Sequence, residues 1–207
     1  MKRATPVVFL DRDGTLNELV YRSNYNEYCP PWFADEVKLK RGAISALNRL
    51  LSAKFNLVVV TNQPDAAKNR ASLDQLNAVK TRFITLLEQE GIYLSGYFNC
   101  VHHPKGIVPK LSCICDCRKP KIGMFSLYSN VVNVDKARSW MIGDSISDIQ
   151  AGSKFGVGTI GLPSMDTNKL ISNKDACVNA KNISQAVDFI IENYKQSSWR
   201  NKHVTEN

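Results

Sequence analysis

Short apolar runs alternate with amphipathic segments along most of the chain, and this alternation constrains the fold more than any other feature. Five runs have the length and composition of strands buried on both faces: 6–10, 55–60, 97–101, 140–143 and 158–161. Segments with helical spacing of apolar residues lie at 43–51, 73–87, 148–155 and 183–194. Strands that alternate with helices predict an α/β fold, a Rossmann-like doubly wound parallel sheet covered on both faces.

The length and composition predict an ordinary globular protein. The chain has 207 residues, of which 43% are hydrophobic and 22% charged, and this balance excludes disordered, fibrous and membrane classes. We expect one domain over residues 1–195, followed by a polar tail at 196–207. The stretch 16–40 has no sustained periodicity and is predicted to be a loop, so no large cap domain is expected.

The chain has a net positive charge. Lysine and arginine number 27 and aspartate and glutamate 19, so the formal charge is +8. This favours an anionic partner, which we expect to be a small phosphorylated metabolite. No long basic stripe predicts nucleic-acid binding, and no apolar run is long enough to predict membrane binding. We expect a cytoplasmic protein without a signal peptide, as a monomer or a small homo-oligomer.

Two carboxylates follow the first apolar run directly. Asp11 and Asp13 are spaced i, i+2, so their side chains point the same way if the backbone stays extended. A third acid, Asp144, follows the fourth predicted strand. Because the carboxyl ends of parallel strands meet at one edge of a sheet, the three acids could form an oxygen-rich site of the kind that suits Mg²⁺.

The acids belong to a longer series of motifs. The series is Asp11-Arg12-Asp13-Gly14-Thr15, then Thr61-Asn62, then Lys119-Pro120, then Gly143-Asp144 with Asp148. In order and spacing it resembles the four motifs of the haloacid dehalogenase (HAD) superfamily of phosphohydrolases, and the match runs from about residue 6 to 161. The resemblance implies the HAD fold and phosphomonoester hydrolysis.

The resemblance also implies roles for the acids. Asp11 would attack phosphorus and form an aspartyl-phosphate intermediate. Asp13 would first protonate the leaving alkoxide and then deprotonate the attacking water. Asp11, the backbone carbonyl of Asp13 and Asp144 would hold Mg²⁺.

Three further motif residues receive roles from the same resemblance. The Thr61 hydroxyl would hold phosphate oxygens, and Lys119 would neutralise charge on the nucleophile and on the transferring phosphoryl group. Asp148 would orient Lys119 or support the metal. An aspartate at position 13 favours a phosphatase over the ATPases of the superfamily, which usually carry threonine there.

Thiols and imidazoles are concentrated between residues 100 and 117, which predicts a zinc-binding loop. Two closely spaced pairs of soft ligands suit a closed tetrahedral Zn²⁺ site. The predicted ligands are Cys100, His102, Cys115 and Cys117. His103 and Cys113 are adjacent alternatives, so the choice of ligands stays open at this point. We expect a structural zinc, because a reducing compartment disfavours disulfides.

The loop sequence narrows the resemblance. Cys-x-His-His-Pro followed by Cys-Asp-Cys-Arg-Lys-Pro is similar to the zinc loop of the D-glycero-D-manno-heptose 1,7-bisphosphate phosphatases and the related histidinol-phosphate phosphatases. This implies removal of the 7-phosphate from a heptose bisphosphate. The candidate substrate-binding residues are Asn62, Lys68, Arg70 and Arg118, of which Arg118 could grip a second phosphate. The segment 64–70 lacks the glycines usual in that group, and Ser145 replaces a frequent lysine.

Other functions remain as alternatives. A histidinol-phosphate phosphatase would need a carboxylate for the substrate amine, and Asp65 is the candidate. A polynucleotide 3′-phosphatase shares the Asp-x-Asp-Gly-Thr motif, but such an enzyme is disfavoured without a basic stripe or an aromatic platform. A zinc-stabilised binding module without activity is disfavoured by the intact motif series.

Overall fold

A parallel sheet of six strands forms the centre of the structure, a computed structural model that describes residues 4–165, 176 and 178–203. The sheet strands are β1 (Val7–Leu10), β4 (Asn56–Asn62), β5 (Gly96–Cys100), β6 (Trp140–Gly143), β7 (Gly158–Gly161) and β8 (Val178–Asn179). A separate antiparallel hairpin consists of β2 (Val20–Arg22) and β3 (Glu27–Cys29). The helices are α1 (Ala43–Ser52), α2 (Leu73–Gln89), α3 (Gly123–Ser129), α4 (Ile146–Phe155) and α5 (Ile183–His203). Among the described residues, no helix is long and apolar enough to cross a membrane.

The order of the strands sets where a ligand can bind. Across the sheet they lie in the order β5-β4-β1-β6-β7-β8, and every neighbouring pair is parallel. The chain therefore builds one side of the sheet from β1 through β4 to β5 and then returns to build the other side from β6. In doubly wound sheets the crevice at this reversal, outside the carboxyl ends of the strands, is the usual ligand site. Here the reversal lies between β1 and β6.

Both faces of the sheet are covered, as the continuous apolar runs predicted. Side chains alternate along β1, so Val8 and Leu10 pack into one core cluster and Val7 and Phe9 into another. The first cluster contains buried side chains of α1, α2 and α5, and the second contains those of α3 and α4. The predicted α/β class with a doubly wound parallel sheet is confirmed.

Two segments differ from the sequence-based expectation. The predicted loop 16–40 contains the β2–β3 hairpin, whose strands of three residues are too short to show a period. A small cluster of apolar side chains fixes this region against the chain after β4: Cys29, Trp32, Ala66, Ala71 and Leu76. Helix α5 runs to His203 instead of ending near Tyr194, and residues 204–207 of the predicted tail lie outside the described part of the chain.

Candidate active site

The predicted catalytic residues lie together at the reversal of the sheet. Asp11 follows β1, Thr61 is the last residue but one of β4, and Asp144 follows β6. All three are buried, and they line one cavity with Asp13 and Lys119. The strand ends therefore bring together side chains that are up to 133 residues apart in sequence.

Lys119 is the centre of the polar contacts in this cavity. Its Nζ lies 2.7 Å from Asp11 Oδ1 and 2.6 Å from Asp148 Oδ1, and it donates to the Val60 carbonyl at 2.6 Å. Only 3% of Lys119 is exposed. Since three acceptors fix the ammonium, it has a single position beside the predicted nucleophile.

Asp148 is held from its other side by the start of α4. Its Oδ2 accepts hydrogen bonds from the Ser145 amide at 3.0 Å and the Ser145 hydroxyl at 2.7 Å. This reciprocal arrangement is a helix capping box. Ser145 is therefore the N-cap residue of α4 and orients the carboxylate that holds Lys119.

The cluster contains three carboxylates and one ammonium group. Oxygens of Asp11, Asp144 and Asp148 lie within 4.8 Å of one another. Burial raises the pKa of Asp11, the Lys119 ammonium lowers it, and the neighbouring carboxylates raise it, so that together they bring it to about 8. Burial lowers the pKa of Lys119, but Asp11 and Asp148 raise it by more, so it lies above its ordinary range. The site thus lacks positive charge, which a divalent cation would supply.

A glycine allows the motif loop to approach the third carboxylate. Gly14 has a φ of +87°, a conformation that L side chains rarely adopt. A Cβ at this position would lie 2.1 Å from Asp144 Oδ2. The close approach of the loop after β1 to the end of β6 therefore requires glycine.

Asp13 is held by a group of contacts that the sequence did not reveal. The Arg12 guanidinium donates to both carboxylate oxygens, from Nε to Oδ1 at 2.9 Å and from Nη2 to Oδ2 at 2.8 Å. Gln63 Nε2 donates to Asp13 Oδ2 at 2.6 Å and to Thr61 Oγ1 at 2.8 Å. Tyr97 accepts a hydrogen bond from Arg12 Nη1 at 3.0 Å. We call Arg12, Gln63 and Tyr97 the Asp13 clamp.

The cavity has a volume of about 310 Å³ and two walls beside the catalytic edge, the edge of the sheet that carries Asp11, Thr61 and Asp144. One wall comes from the hairpin region, the other from the segment after β4, and Arg118 also lines the cavity. The residues of the two walls are Glu27, Tyr28, Cys29 and Pro30, and Pro64, Asp65, Lys68 and Arg70. The hairpin thus encloses a space large enough for a small metabolite.

The four predicted substrate-binding residues differ in their surroundings. Lys68 and Arg118 line the cavity and are half-buried, and Arg118 Nη1 donates to the His102 carbonyl at 3.3 Å. Arg70 pairs with Glu27 at 2.5 Å and lies 4.5 Å from the Tyr25 ring centroid. Asn62 uses its carboxamide to hold the Lys119 main chain, at 3.0 and 3.1 Å. Of the four, Arg70 is thus paired with a carboxylate and Asn62 holds the Lys119 main chain, while Lys68 and Arg118 present cationic side chains to the cavity.

The zinc-binding loop gathers its four predicted ligands. The sulfur atoms of Cys100, Cys115 and Cys117 lie 3.0–3.5 Å apart, and His102 Nδ1 lies 3.4 Å from Cys117 Sγ. Tetrahedral zinc with bonds of about 2.3 Å spaces its sulfurs by about 3.8 Å, so the donor set fits such an ion after a slight expansion. The alternatives lie outside it, since Cys113 is exposed and His103 Nδ1 accepts from the Lys105 amide.

Three charged residues in or beside the cavity had a weak sequence signal or none. Asp65 is 2% exposed, and its Oδ2 has no hydrogen-bond partner among the described residues; burial raises its pKa, while Lys68 and Arg70 lower it. Glu27 gave no motif signal, because its place in the cavity follows from the hairpin. Arg12 lay inside the first motif but gave no sign of its partners.

Comparison with known proteins identifies the family. The sequence model of the haloacid dehalogenase-like hydrolases matches residues 5–156. Two proteins named D-glycero-β-D-manno-heptose-1,7-bisphosphate 7-phosphatase, from Escherichia coli O6:H1 and Yersinia pestis, are each 36% identical over 159 residues, which are 77% of this chain and 80% of theirs.

Solved structures support the same assignment of fold. A HAD-like protein from Mesorhizobium loti has a TM-score of 0.74 and 26% identity, with 91% of this chain and 85% of that chain covered. The D,D-heptose 1,7-bisphosphate phosphatase from B. bronchiseptica, complexed with magnesium and phosphate, has a TM-score of 0.73 and 24% identity, with 91% and 99% covered. The chain therefore belongs to the haloacid dehalogenase-like hydrolases, as its motif series predicted, and is a phosphatase of that family.

Proposed function

We propose that the protein is a Mg²⁺-dependent phosphatase that removes the 7-phosphate of D-glycero-D-manno-heptose 1,7-bisphosphate through an aspartyl-phosphate. The observation that carries this proposal is the contact of Lys119 with Asp11 and Asp148 at the catalytic edge of an enclosed cavity. The names of the relatives support the sugar, since proteins 36% identical over most of the chain are named for it.

Asp11 and Asp13 perform the covalent chemistry in this proposal. An Asp11 carboxylate oxygen forms a bond to phosphorus as the bond from phosphorus to the sugar oxygen breaks. The Asp13 carboxyl group gives its proton to that leaving oxygen. Water then attacks the aspartyl-phosphate, loses a proton to Asp13, and releases inorganic phosphate with Asp11 restored. The two steps consume one water and leave both side chains as they began.

Lys119 and Thr61 stabilise the phosphoryl group during transfer. The Lys119 ammonium contacts Asp11 Oδ1, so its charge acts on the oxygen atoms nearest the new bond. The Thr61 hydroxyl accepts a hydrogen bond from Gln63, which leaves its own proton available for a phosphate oxygen. Asp148 keeps Lys119 in place.

The carboxylates fit Mg²⁺, which would offset the repulsion between the anionic nucleophile and the phosphate. Three carboxylate groups lie within 4.8 Å, and hard oxygen ligands are what this ion prefers. Because Asp148 is engaged by Lys119 and Ser145, we assign the binding to Asp11, Asp144 and the backbone carbonyl of Asp13. The magnesium in the B. bronchiseptica structure agrees with this choice of ion.

The thiol and imidazole cluster would hold a structural Zn²⁺ through Cys100, His102, Cys115 and Cys117. All four donors face one another, and none of the four residues lines the active cavity. A closed set of four ligands without an open position is typical of structural zinc. Such a site requires reduced thiols, which fits action in the cytoplasm.

The second phosphate of the substrate would bind to Lys68 and Arg118. Both side chains line the cavity, and they approach it from the segment after β4 and from the end of the zinc-binding loop. Arg70 is less available, because Glu27 and Tyr25 engage its guanidinium.

Histidinol phosphate is the second candidate substrate, and Asp65 is the observation that favours it. Asp65 lines the cavity, and its buried Oδ2 has no hydrogen-bond partner among the described residues. This oxygen could therefore accept a hydrogen bond from an ammonium group. The same oxygen could accept from a sugar hydroxyl, and the names of the relatives favour the sugar.

A panel of substrates tests the proposal. Phosphate release with Mg²⁺ is measured for both anomers of the heptose 1,7-bisphosphate, for histidinol phosphate and for a 3′-phosphorylated oligonucleotide. We expect kcat/KM to be highest for a heptose bisphosphate, with the 7-phosphate released. A preference for histidinol phosphate would replace the sugar, and release from none of the four would contradict the proposed function.

A further inference from the structure

We propose that Arg12 is a positioning residue for Asp13, and that Gln63 and Tyr97 complete a clamp which sets the orientation of the acid-base carboxylate. This inference rests on the proposed function, because it takes the proton transfers of that mechanism as the task of Asp13. The clamp residues do not touch phosphorus or the leaving group in this assignment. They act through the carboxylate.

The geometry of the guanidinium fixes the carboxylate in a plane. Nε and Nη2 of Arg12 donate to the two oxygens of Asp13 at 2.9 and 2.8 Å, which is the bidentate arrangement. A planar fork with two parallel hydrogen bonds restrains both the rotation and the tilt of a carboxylate, whereas a lysine ammonium offers a point charge. Arg12 is 1% exposed, so water does not compete for these bonds.

The sheet in turn fixes the guanidinium. Nη2 of Arg12 also donates to Gln63 Oε1 at 2.8 Å, and Nη1 donates to the Tyr97 hydroxyl at 3.0 Å. Gln63 follows β4, and Tyr97 lies within β5. The carboxylate that follows β1 is therefore aligned by one residue directly after β4 and one within β5, the next two strands on that side of the sheet.

Gln63 connects the clamp to the phosphate site. Its amide nitrogen donates to Asp13 Oδ2 at 2.6 Å and to Thr61 Oγ1 at 2.8 Å. One side chain thus sets the spacing between the acid-base group and the hydroxyl proposed to hold a phosphate oxygen. A displacement of either group would move the other.

Stability alone gives a poor reason for this burial. Removing a guanidinium from water is costly, and an ion pair between adjacent residues closes no loop of the chain. Arg12 does not line the cavity, whereas Asp13 does. The orientation of Asp13 is the effect that the clamp has on the cavity.

Leaving-group dependence distinguishes positioning from a merely structural role. An alkoxide needs a proton as it leaves, whereas p-nitrophenolate leaves without one. The ratio kcat/KM includes only the steps up to release of the leaving group, so it reports acid catalysis separately from the later attack of water. A loose Asp13 should therefore harm alkyl phosphates far more than aryl phosphates.

The test compares Arg12→Lys with the wild type on heptose 1,7-bisphosphate and on p-nitrophenyl phosphate. We expect kcat/KM to fall about 10²-fold for the sugar phosphate and by less than about threefold for the aryl phosphate. Arg138→Lys is the matched control, since Arg138 also pairs with a nearby aspartate, Asp135, but outside the cavity. It should leave both ratios unchanged.

A second variant guards against a folding defect. Gln63→Met keeps the length of the side chain and removes its hydrogen bonds to Asp13 and Thr61, and we expect it to raise the same selectivity for aryl phosphate. Equal losses on both substrates in folded Arg12→Lys and Gln63→Met, or no loss in either, would overturn the assignment of the clamp. Activity of the wild type on neither substrate would instead contradict the proposed function, and the clamp assignment with it.

Discussion

Two polar clusters lie near the carboxyl ends of the same sheet and differ in what surrounds them. The carboxylate cluster of Asp11, Asp144 and Asp148 is nearly fully buried and opens into the cavity. The cysteine cluster consists of Cys100, Cys115 and Cys117 together with His102. It is only half-buried at three of its four positions, yet it does not line that cavity.

The two clusters differ in the charged groups that surround them and in their access to the cavity. Burial raises the pKa of Asp11 and of Cys100, so each cluster has one buried member whose charged form is disfavoured without a cation. The carboxylates also have an ammonium partner, Lys119, and an open side where substrate can enter. The thiols lie near the Arg118 guanidinium instead, and they do not line the cavity. The difference teaches that the carboxylate cluster is suited to a metal that meets substrate, and the cysteine cluster to a metal that only holds the protein together.

The largest expected effect breaks the carboxylate cluster without disturbing the other. Asp11→Asn should lower phosphate release by about 10⁴-fold, because an amide cannot form the aspartyl-phosphate. The variant should remain folded, and its zinc content should be unchanged. Asp188→Asn, at an exposed ion pair with Arg49, is the control for the same chemical change. Turnover retained in Asp11→Asn would remove Asp11 as the nucleophile.

The second effect concerns the cation of the carboxylate cluster. Lys119→Met should lower kcat by about 10²- to 10³-fold, because three carboxylates then face the phosphate without their ammonium partner. The control is Lys121→Met, since that lysine is exposed and pairs only with Asp116 among the described residues. Similar losses of kcat in both variants would show that Lys119 has no special place in the reaction.

The third effect is on the cysteine cluster. Cys115→Ser should reduce bound zinc, measured by metal analysis, and lower the melting temperature by about 10 °C. Activity should follow the loss of folded protein, because Cys117 lies two residues before Lys119. Cys113→Ser changes an exposed cysteine outside the cluster and should have no effect. Equal zinc content and melting in both variants would refute the structural zinc.

The fourth effect is the pH dependence of stability after Mg²⁺ is removed by dialysis, which leaves tightly bound zinc. The folded-state pKa of Asp11, about 8, lies above its ordinary value of 3.8. The unfolded chain therefore loses this proton at lower pH than the folded chain, and the free energy of unfolding should fall as pH rises from about 4 to about 8. We expect a loss on the order of a few kcal/mol, absent in Asp11→Asn. An identical slope in wild type and variant would contradict this cause.

The smallest effect concerns the wall of the cavity. Glu27→Gln should weaken the pair with Arg70 and change KM by about two- to fivefold, with kcat unchanged, because the pair is partly exposed and lies in the wall of the cavity. Glu36→Gln alters the other ion pair of the same region, with Arg22, and should leave KM as it is. A change of kcat in Glu27→Gln would give the pair a role beyond the wall.

The strand ends made much of the site predictable. Asp11, Thr61 and Asp144 each follow or end an apolar strand, and parallel topology alone brings such positions to one edge. The approach of Cys100, His102, Cys115 and Cys117 to one another was predictable, because two close pairs of soft donors suit a metal site.

The rest depended on contacts that no local pattern carries. The hairpin strands have three residues each, too few to show a period. The bond between Arg12 and Tyr97 joins residues 85 apart in sequence. The approach of Glu27 to Arg70 needs both the hairpin and the segment after β4 in place. Long-range side-chain partners therefore could not be predicted from the sequence, and neither could the backbone of the hairpin.

The hairpin has a consequence for how such enzymes diversify. The chemistry comes from strand ends that are locked into the core, whereas one wall of the cavity comes from the continuous stretch 27–30 in a short surface hairpin. Replacing that stretch would change which molecules fit without altering a single reacting group. Exchange of this one stretch would thus reshape one of the two walls of the enclosure in a single step, while Lys68, Arg118 and the reacting groups stay in place.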